Sequence, residues 1–176
     1  MANYSELTPG TWTIDPAHST IGFTARHLMV TKVRGQFSDY TAEINVADPI
    51  EQSTVKVVIQ LASVDTKSED RDNHLRSGDF FDVEKYPTMT FTSTSFDGKN
   101  LVGDLTIKDI TKPVTFEVDF DGVITDPWGN QKAGFEAETE INRKDWGLDW
   151  NAALEAGGVL VSEKIKINLD LQLAKA

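Results

Sequence analysis

The chain contains no cysteine. Disulfides, thiolate nucleophiles and Cys-ligated zinc or iron–sulfur sites are therefore excluded, and the redox compartment is left open. Histidine is scarce, with 3 residues in 176. Basic residues are also few: 17 Lys and Arg stand against 28 Asp and Glu, for a net charge of -11. Such a charge repels phosphate backbones and anionic headgroup surfaces over a Debye length of about 8–10 Å, so nucleic acid is not an expected partner. Apolar runs are too interrupted to span a membrane as a helix. The opening MANYSELTPGTW lacks the basic start and apolar core of a secretory signal, which points to the cytoplasm. Neither an internal repeat nor a phosphate-cradling glycine loop is present.

What remains is alternation. In 114–124 the even positions are Val114, Phe116, Val118, Phe120, Gly122 and Ile124, while Thr115, Glu117, Asp119 and Asp121 fall between them. Near the C-terminus Val159, Val161, Ile165, Ile167, Leu169, Leu171 and Leu173 share one parity, which Glu163 alone interrupts. This period of two marks strands with one dry face. Similar runs at 19–27, 33–47, 54–65, 88–96, 101–108 and 134–141 bring the expectation to about eight strands in one domain over 12–176, preceded by a segment at 1–11. Within 33–47 the apolar parity changes between Phe37 and Tyr40, which predicts a bulge near Ser38 that bends the strand. Long, bent antiparallel strands without helices to cover them hide their edges best by closing, so the fold class expected is an all-β, lipocalin-like antiparallel barrel.

Two short helical insertions are predicted. One covers 67–77, opened by a Thr66-x-x-Glu69 capping box and closed by Gly78; the other lies near 150–156, before Gly157-Gly158. An eight-stranded barrel is either filled by side chains or holds one small ligand. The inward set mixes large residues with Gly22 or Gly35, Ala25, Ala137 and Gly122. Small residues accommodate unfilled space, but they also fit the taper of a solid barrel.

Chemistry-bearing residues concentrate in RDNHLRSGDFFDVEKYP, 71–87. On a helix Asp72 and Arg76 stand at i,i+4, as do Asp70 and His74, and Leu75 is the lone apolar residue. Such a helix has little to bury and suits a barrel rim, where Arg71, His74 and Arg76 either form a solvated face or offer donors to a carbonyl or phosphate at the entrance. Phe80 and Phe81 then follow as hinge and wall. His18 and His27 are nine apart, so alternation sends them to opposite faces, and no shared metal site is expected. Trp146 and Trp150, at i,i+4, are either a ligand-facing pair or core. No serine or threonine sits in a recognisable nucleophile context.

TWTIDPAHSTIGFTARHL, KVRGQF, SVDTKSEDRDNHLRSGDFFDVEKYPTMTF, GDLTIKDITKPV, INRKDWGLDWN and GGVLV, in this order from Trp12 to Leu171, resemble the YceI family of lipocalin-like bacterial proteins. One departure is Asp109-Ile110, where the family commonly has a glycine in its LTIxGVTKPV motif. The resemblance implies a barrel whose pore binds a long polyisoprenoid, such as an isoprenoid quinone or prenyl diphosphate, with no catalytic activity established, in a homodimer; no cofactor is expected. On this reading the ligand meets Ile21, Phe23, His27 and Phe37 early in the chain. It also meets Phe80, Phe81, Phe91, Phe116, Phe120, Trp146, Trp150, Ile165 and Ile167, with Arg71, His74 and Arg76 at the entrance. The alternatives are a hydrolase or isomerase of the same ligand using His74 with Asp72 or Asp70, and a solid barrel serving as an interaction module.

Overall fold

The computed structural model describes residues 3–151 and 161–176. Its strands are β1 (Gly10–Ile14), β2 (Thr20–His27), β3 (Thr31–Phe37), β4 (Tyr40–Val46), β5 (Thr54–Gln60), β6 (Val64–Asp65), β7 (Thr88–Phe96), β8 (Asn100–Ile107), β9 (Ile110–Thr125), β10 (Gln131–Asn142) and β11 (Lys164–Lys175). One α-helix, α1 (Glu69–Arg76), lies between β6 and β7. Strands β1, β4, β5, β7, β8, β9, β10 and β11 pair in that order, and β11 returns to β1. The result is a closed eight-stranded antiparallel barrel, as the alternation predicts.

The remaining strands continue the ring rather than add to it. β11 pairs with β1 at Leu173–Lys175 and with β2 at Lys166–Asp170. β1 and β2 thus act as one strand kinked by the turn at Pro16–His18, whose N-cap Asp15 accepts from the Ala17 amide. His18 sits in that kink, not on a strand, with Nδ1 2.8 Å from Asp15 Oδ2. The parity change expected near Ser38 is real, but it is a break: β3 stops at Phe37, β4 starts at Tyr40, and each pairs with a different half of the first strand.

A second parity change was hidden from pattern reading. Gly134 pairs with Gly122 and Phe135 with Phe120, so Asp121 bulges out of β9 and Gly122 adopts φ 113°. Val114, Phe116 and Val118 point inward as expected. Past the bulge Val123 takes the inner side and Ile124, expected on the dry face, is 69% exposed. The departure from the family motif is explained in the same terms: Lys108 and Asp109 form the β8–β9 turn with φ 52° and 61°, and aspartate tolerates the left-handed region better than most residues with a side chain.

α1 is shorter than predicted. Ser68, not Thr66, is its N-cap, accepting from the Arg71 amide. Thr66 is instead tied to the buried Asp72, whose Oδ1 accepts from the Thr66 amide at 2.8 Å and its hydroxyl at 2.6 Å. The expected i,i+4 ion pairs give way to these contacts. His74 Nε2 lies 2.9 Å from Asp79 Oδ2, and Arg76 donates to the Ala62 and Val64 carbonyls and to Asn73. The second expected helix, 150–156, falls mostly outside the described residues.

The buried apolar residues form three clusters around the barrel, gathered about Phe116, Trp12 and Leu61. Asp72 carries the prediction made by this architecture. Asp72→Ala leaves the Thr66 amide and hydroxyl without their acceptor and should lower unfolding free energy by about 1–3 kcal/mol, read from a urea midpoint, with Asp72→Asn losing less.

Candidate functional site: an apolar lumen

A single cavity of about 650 Å³ runs inside the barrel from Tyr4 and Leu7 at one end to His27, Arg143 and Trp150 at the other. Its walls are the inward parity of the strands, including Ile21, Phe37, Val57, Phe116, Ile165, Ile167 and Leu169. Several of these inward side chains are only half-buried, because the surface they expose is the cavity wall. Two glycines keep the tube open. A Cβ on Gly35 would stand 2.3 Å from the Phe23 ring, and one on Gly103 2.3 Å from the Phe91 ring. Each ring therefore lies over the bare backbone of the neighbouring strand, as aromatic rings do over sheet glycines.

The far end is closed by the N-terminal segment. Tyr4 stacks on Phe120 at 5.0 Å and donates its hydroxyl to the Gly98 carbonyl at 2.6 Å. Burial, with help from Asp119 and Asp97, pushes that hydroxyl's pKa up and keeps it a neutral donor. Trp12 is fully buried beneath, its Nε1 donating to the Thr8 carbonyl.

Polar groups gather at the other end. Arg71 lines the cavity with its Nε on Thr66 Oγ1 at 2.7 Å and Nη2 on the Thr66 carbonyl at 2.6 Å. His74 packs edge-on against Phe80 at 5.1 Å and Trp150 at 4.5 Å. Arg143, 3% exposed, also reaches the cavity. Its guanidinium donates to the carbonyls of Leu148, Val161 and Ser162 and faces the Phe80 ring at 5.8 Å. Burial lowers its pKa from the ordinary arginine value, against the opposing pull of Glu163 and Asp149. Arg143 was not among the residues singled out from sequence; the signal available was a lone arginine closing the long alternating run of β10.

Of the candidates from sequence, Ile21, Phe23, His27, Phe37, Arg71, His74, Phe80, Phe81, Phe91, Phe116, Trp150, Ile165 and Ile167 line this cavity. Three do not. Arg76 turns to the backbone of Ala62 and Val64, Phe120 is sandwiched between Tyr4 and Phe135, and Trp146 is 2% exposed with Nε1 on the Leu105 carbonyl at 2.9 Å. The helical spacing assumed for Trp146 and Trp150 is not realised, because a 3-10 turn at Arg143–Trp146 ends on Gly147 at φ 75°. Among the described residues no three His, Asp or Glu converge as a metal site, and no helix is long and apolar enough to cross a membrane.

The YceI-like domain model matches residues 12–173, nearly the whole barrel. The chain belongs to the YceI-like family. Within it, the UPF0312 protein of Staphylococcus aureus (strain MSSA476) is 40% identical over 166 residues, covering 93% of this chain and 96% of that one. The crystal structure of the Campylobacter jejuni YCEI protein superposes with TM-score 0.72 at 30% identity, covering 100% of this chain and 99% of that one. A polyisoprenoid binding domain from Saccharophagus degradans shares the fold at TM-score 0.67 and 13% identity, covering 94% and 98%. The closed barrel is thus the YceI-like fold.

The two tryptophans separate wall from lumen experimentally. Trp146→Ala should cost about 3–5 kcal/mol of stability, as expected for a large buried side chain. Trp150→Ala, at the cavity's polar end, should cost distinctly less and leave the urea transition cooperative.

Proposed function

We propose that this protein holds one long-chain isoprenoid lipid in its lumen and carries or sequesters it without chemical turnover. The observation that carries the reading is the continuous apolar cavity of about 650 Å³ with its polar side chains confined largely to one end. That is the division expected of lipid pockets, apolar walls for affinity and few polar groups for orientation. The Saccharophagus degradans structure, described as a polyisoprenoid binding domain, supports an isoprenoid over a straight acyl chain.

Size sets the length of chain held. At roughly 30 Å³ per heavy atom, the share of a water in liquid, 650 Å³ takes about 20 carbons. Burying 20 carbons yields a gross term of about 16 kcal/mol at about 0.8 kcal/mol each, inside the limit of roughly 20 at which non-covalent affinity saturates. A longer tail projects from the mouth. Arg71, His74 and Arg143 then meet the head group of a quinone or prenyl diphosphate. The expected pairing of His74 with Asp72 or Asp70 does not form: Asp72 is held by Thr66 and His74 by Asp79. His74 is read here as a head-group contact. As in the resemblance that first suggested it, the carrier is proposed to be a homodimer.

Native mass spectrometry of the protein purified from its own host tests the reading. A retained isoprenoid at about one per chain is expected. Phe116→Asp should abolish retention, because an unpaired carboxylate on the wall is costly to bury, while His74→Gln should retain lipid. Repeated preparations empty of lipid, or full retention by a folded Phe116→Asp protein, would contradict it.

A further inference from the structure

The lipid reading leaves unexplained how a water-insoluble cargo reaches a cavity in a protein of net charge -11. The β2–β3 turn offers the answer. Leu28, Met29 and Val30 are 42, 59 and 76% exposed, three consecutive apolar side chains at its tip. They stand beside the cavity, since Ala25, His27 and Val33 from the flanking strands line it. Leu28 and Met29 both take left-handed backbone, φ 54° and 64°, and the Val30 amide closes the turn on the His27 carbonyl. Such turns ordinarily select Asn-Gly. Apolar residues held there despite the conformational cost are better explained by what they touch than by folding.

The hairpin that carries the tip is basic in a molecule that is acidic overall. From 16 to 38 the chain has no Asp or Glu, the longest acid-free stretch in a sequence with 28 of them. On the outer face of the hairpin Arg26 stands directly opposite Lys32, and Arg34 lies opposite Thr24. Among the described residues no carboxylate forms an ion pair with Arg26, Lys32 or Arg34. Like charges directly opposite one another oppose the pairing of the hairpin unless an anion neutralises them.

We propose that the β2–β3 turn is a docking lip by which the polar end of the barrel meets an anionic phospholipid bilayer. Leu28, Met29 and Val30 enter the headgroup and acyl boundary, as the apolar faces of interfacial segments do, while Arg26, Lys32 and Arg34 meet lipid phosphates. The acidic remainder of the molecule is repelled, which orients the mouth toward the membrane. The other exposed apolar site, Ile124 and Trp128, at 69 and 83%, lies at the opposite end beside Asp121 and Asp126 and lacks this collar. The inference rests on the lipid-carrier reading and adds the surface from which cargo is loaded.

Flotation of the full chain with vesicles tests it. The protein should bind vesicles of equal phosphatidylcholine and phosphatidylglycerol, weakly in high salt, and should not bind phosphatidylcholine alone. Leu28→Asn with Met29→Gly restores a favourable turn, so it should keep or raise the urea midpoint while lowering vesicle affinity tenfold or more. Lys32→Gln and Arg34→Gln should each lower it about fivefold. Trp128→Ser should bind as wild type. The proposal is overturned if wild type does not float or if the Leu28→Asn, Met29→Gly protein floats unchanged. It is equally overturned if Trp128→Ser is the variant that loses binding, or if the turn variant changes the oligomeric mass instead, as it would if the tip joined two protein chains. Cargo is read separately by mass spectrometry. Absence of lipid from proteins that still float would contradict the carrier reading and leave docking standing.

Discussion

Closure of the sheet through β11 is the constraint on which everything else rests. β11 pairs along one edge with β10 over Lys164–Ala174, and along the other with β1 and β2 in succession. With the ring closed, main-chain groups of the wall are satisfied by neighbouring strands, and the inside of the barrel owes nothing to backbone hydrogen bonding. Only side chains decide whether the interior is full. Here they do not fill it: the buried residues divide into separate clusters, and between them the inward apolar groups line about 650 Å³ of space.

Keeping such a lumen open takes specific arrangements. Phe23 and Phe91 lie against Gly35 and Gly103, where any Cβ would drive the rings inward. Tyr4, Leu7 and Trp12 seal one end with well-packed aromatic and aliphatic groups. At the other end the described lining is polar, contributed by α1, the turn that follows β10 and the buried Arg143, whose donors are spent on carbonyls rather than on a carboxylate. The asymmetry gives the tube a direction. On the function proposed above, an amphiphile would enter tail first and leave its head among Arg71, His74 and Arg143.

Much of this was legible in the chain. Alternation located the long strands, the inner face of β11 and the run Val114–Phe116–Val118, because a period of two follows directly from strand geometry. What alternation cannot register is an extra residue. The Asp121 bulge reversed Ile124, and the break at Ser38-Asp39 read as a bulge. Spacing on an assumed helix failed for a related reason. Arg76 and Trp146 were assigned partners by i,i+4 geometry, whereas the real partners are distant backbone carbonyls at Ala62 and Leu105 that no local pattern encodes. Arg143 escaped notice because a single arginine at a strand end carries no signal of burial until the fold places three carbonyls around it. The exposed Leu28-Met29-Val30 tip escaped for another reason: it falls in the gap between the runs at 19–27 and 33–47, where alternation says nothing about exposure.

The central claim is that an unfilled apolar lumen of defined length sets what the protein holds. A titration of delipidated protein with polyprenyl alcohols of increasing length tests it most directly. The account predicts that affinity climbs with each isoprene unit to about 20 carbons, the capacity of 650 Å³ at roughly 30 Å³ per heavy atom, and then levels off as further units extend into solvent. Affinity that ignores chain length, or no binding at any length by the folded protein, would contradict it.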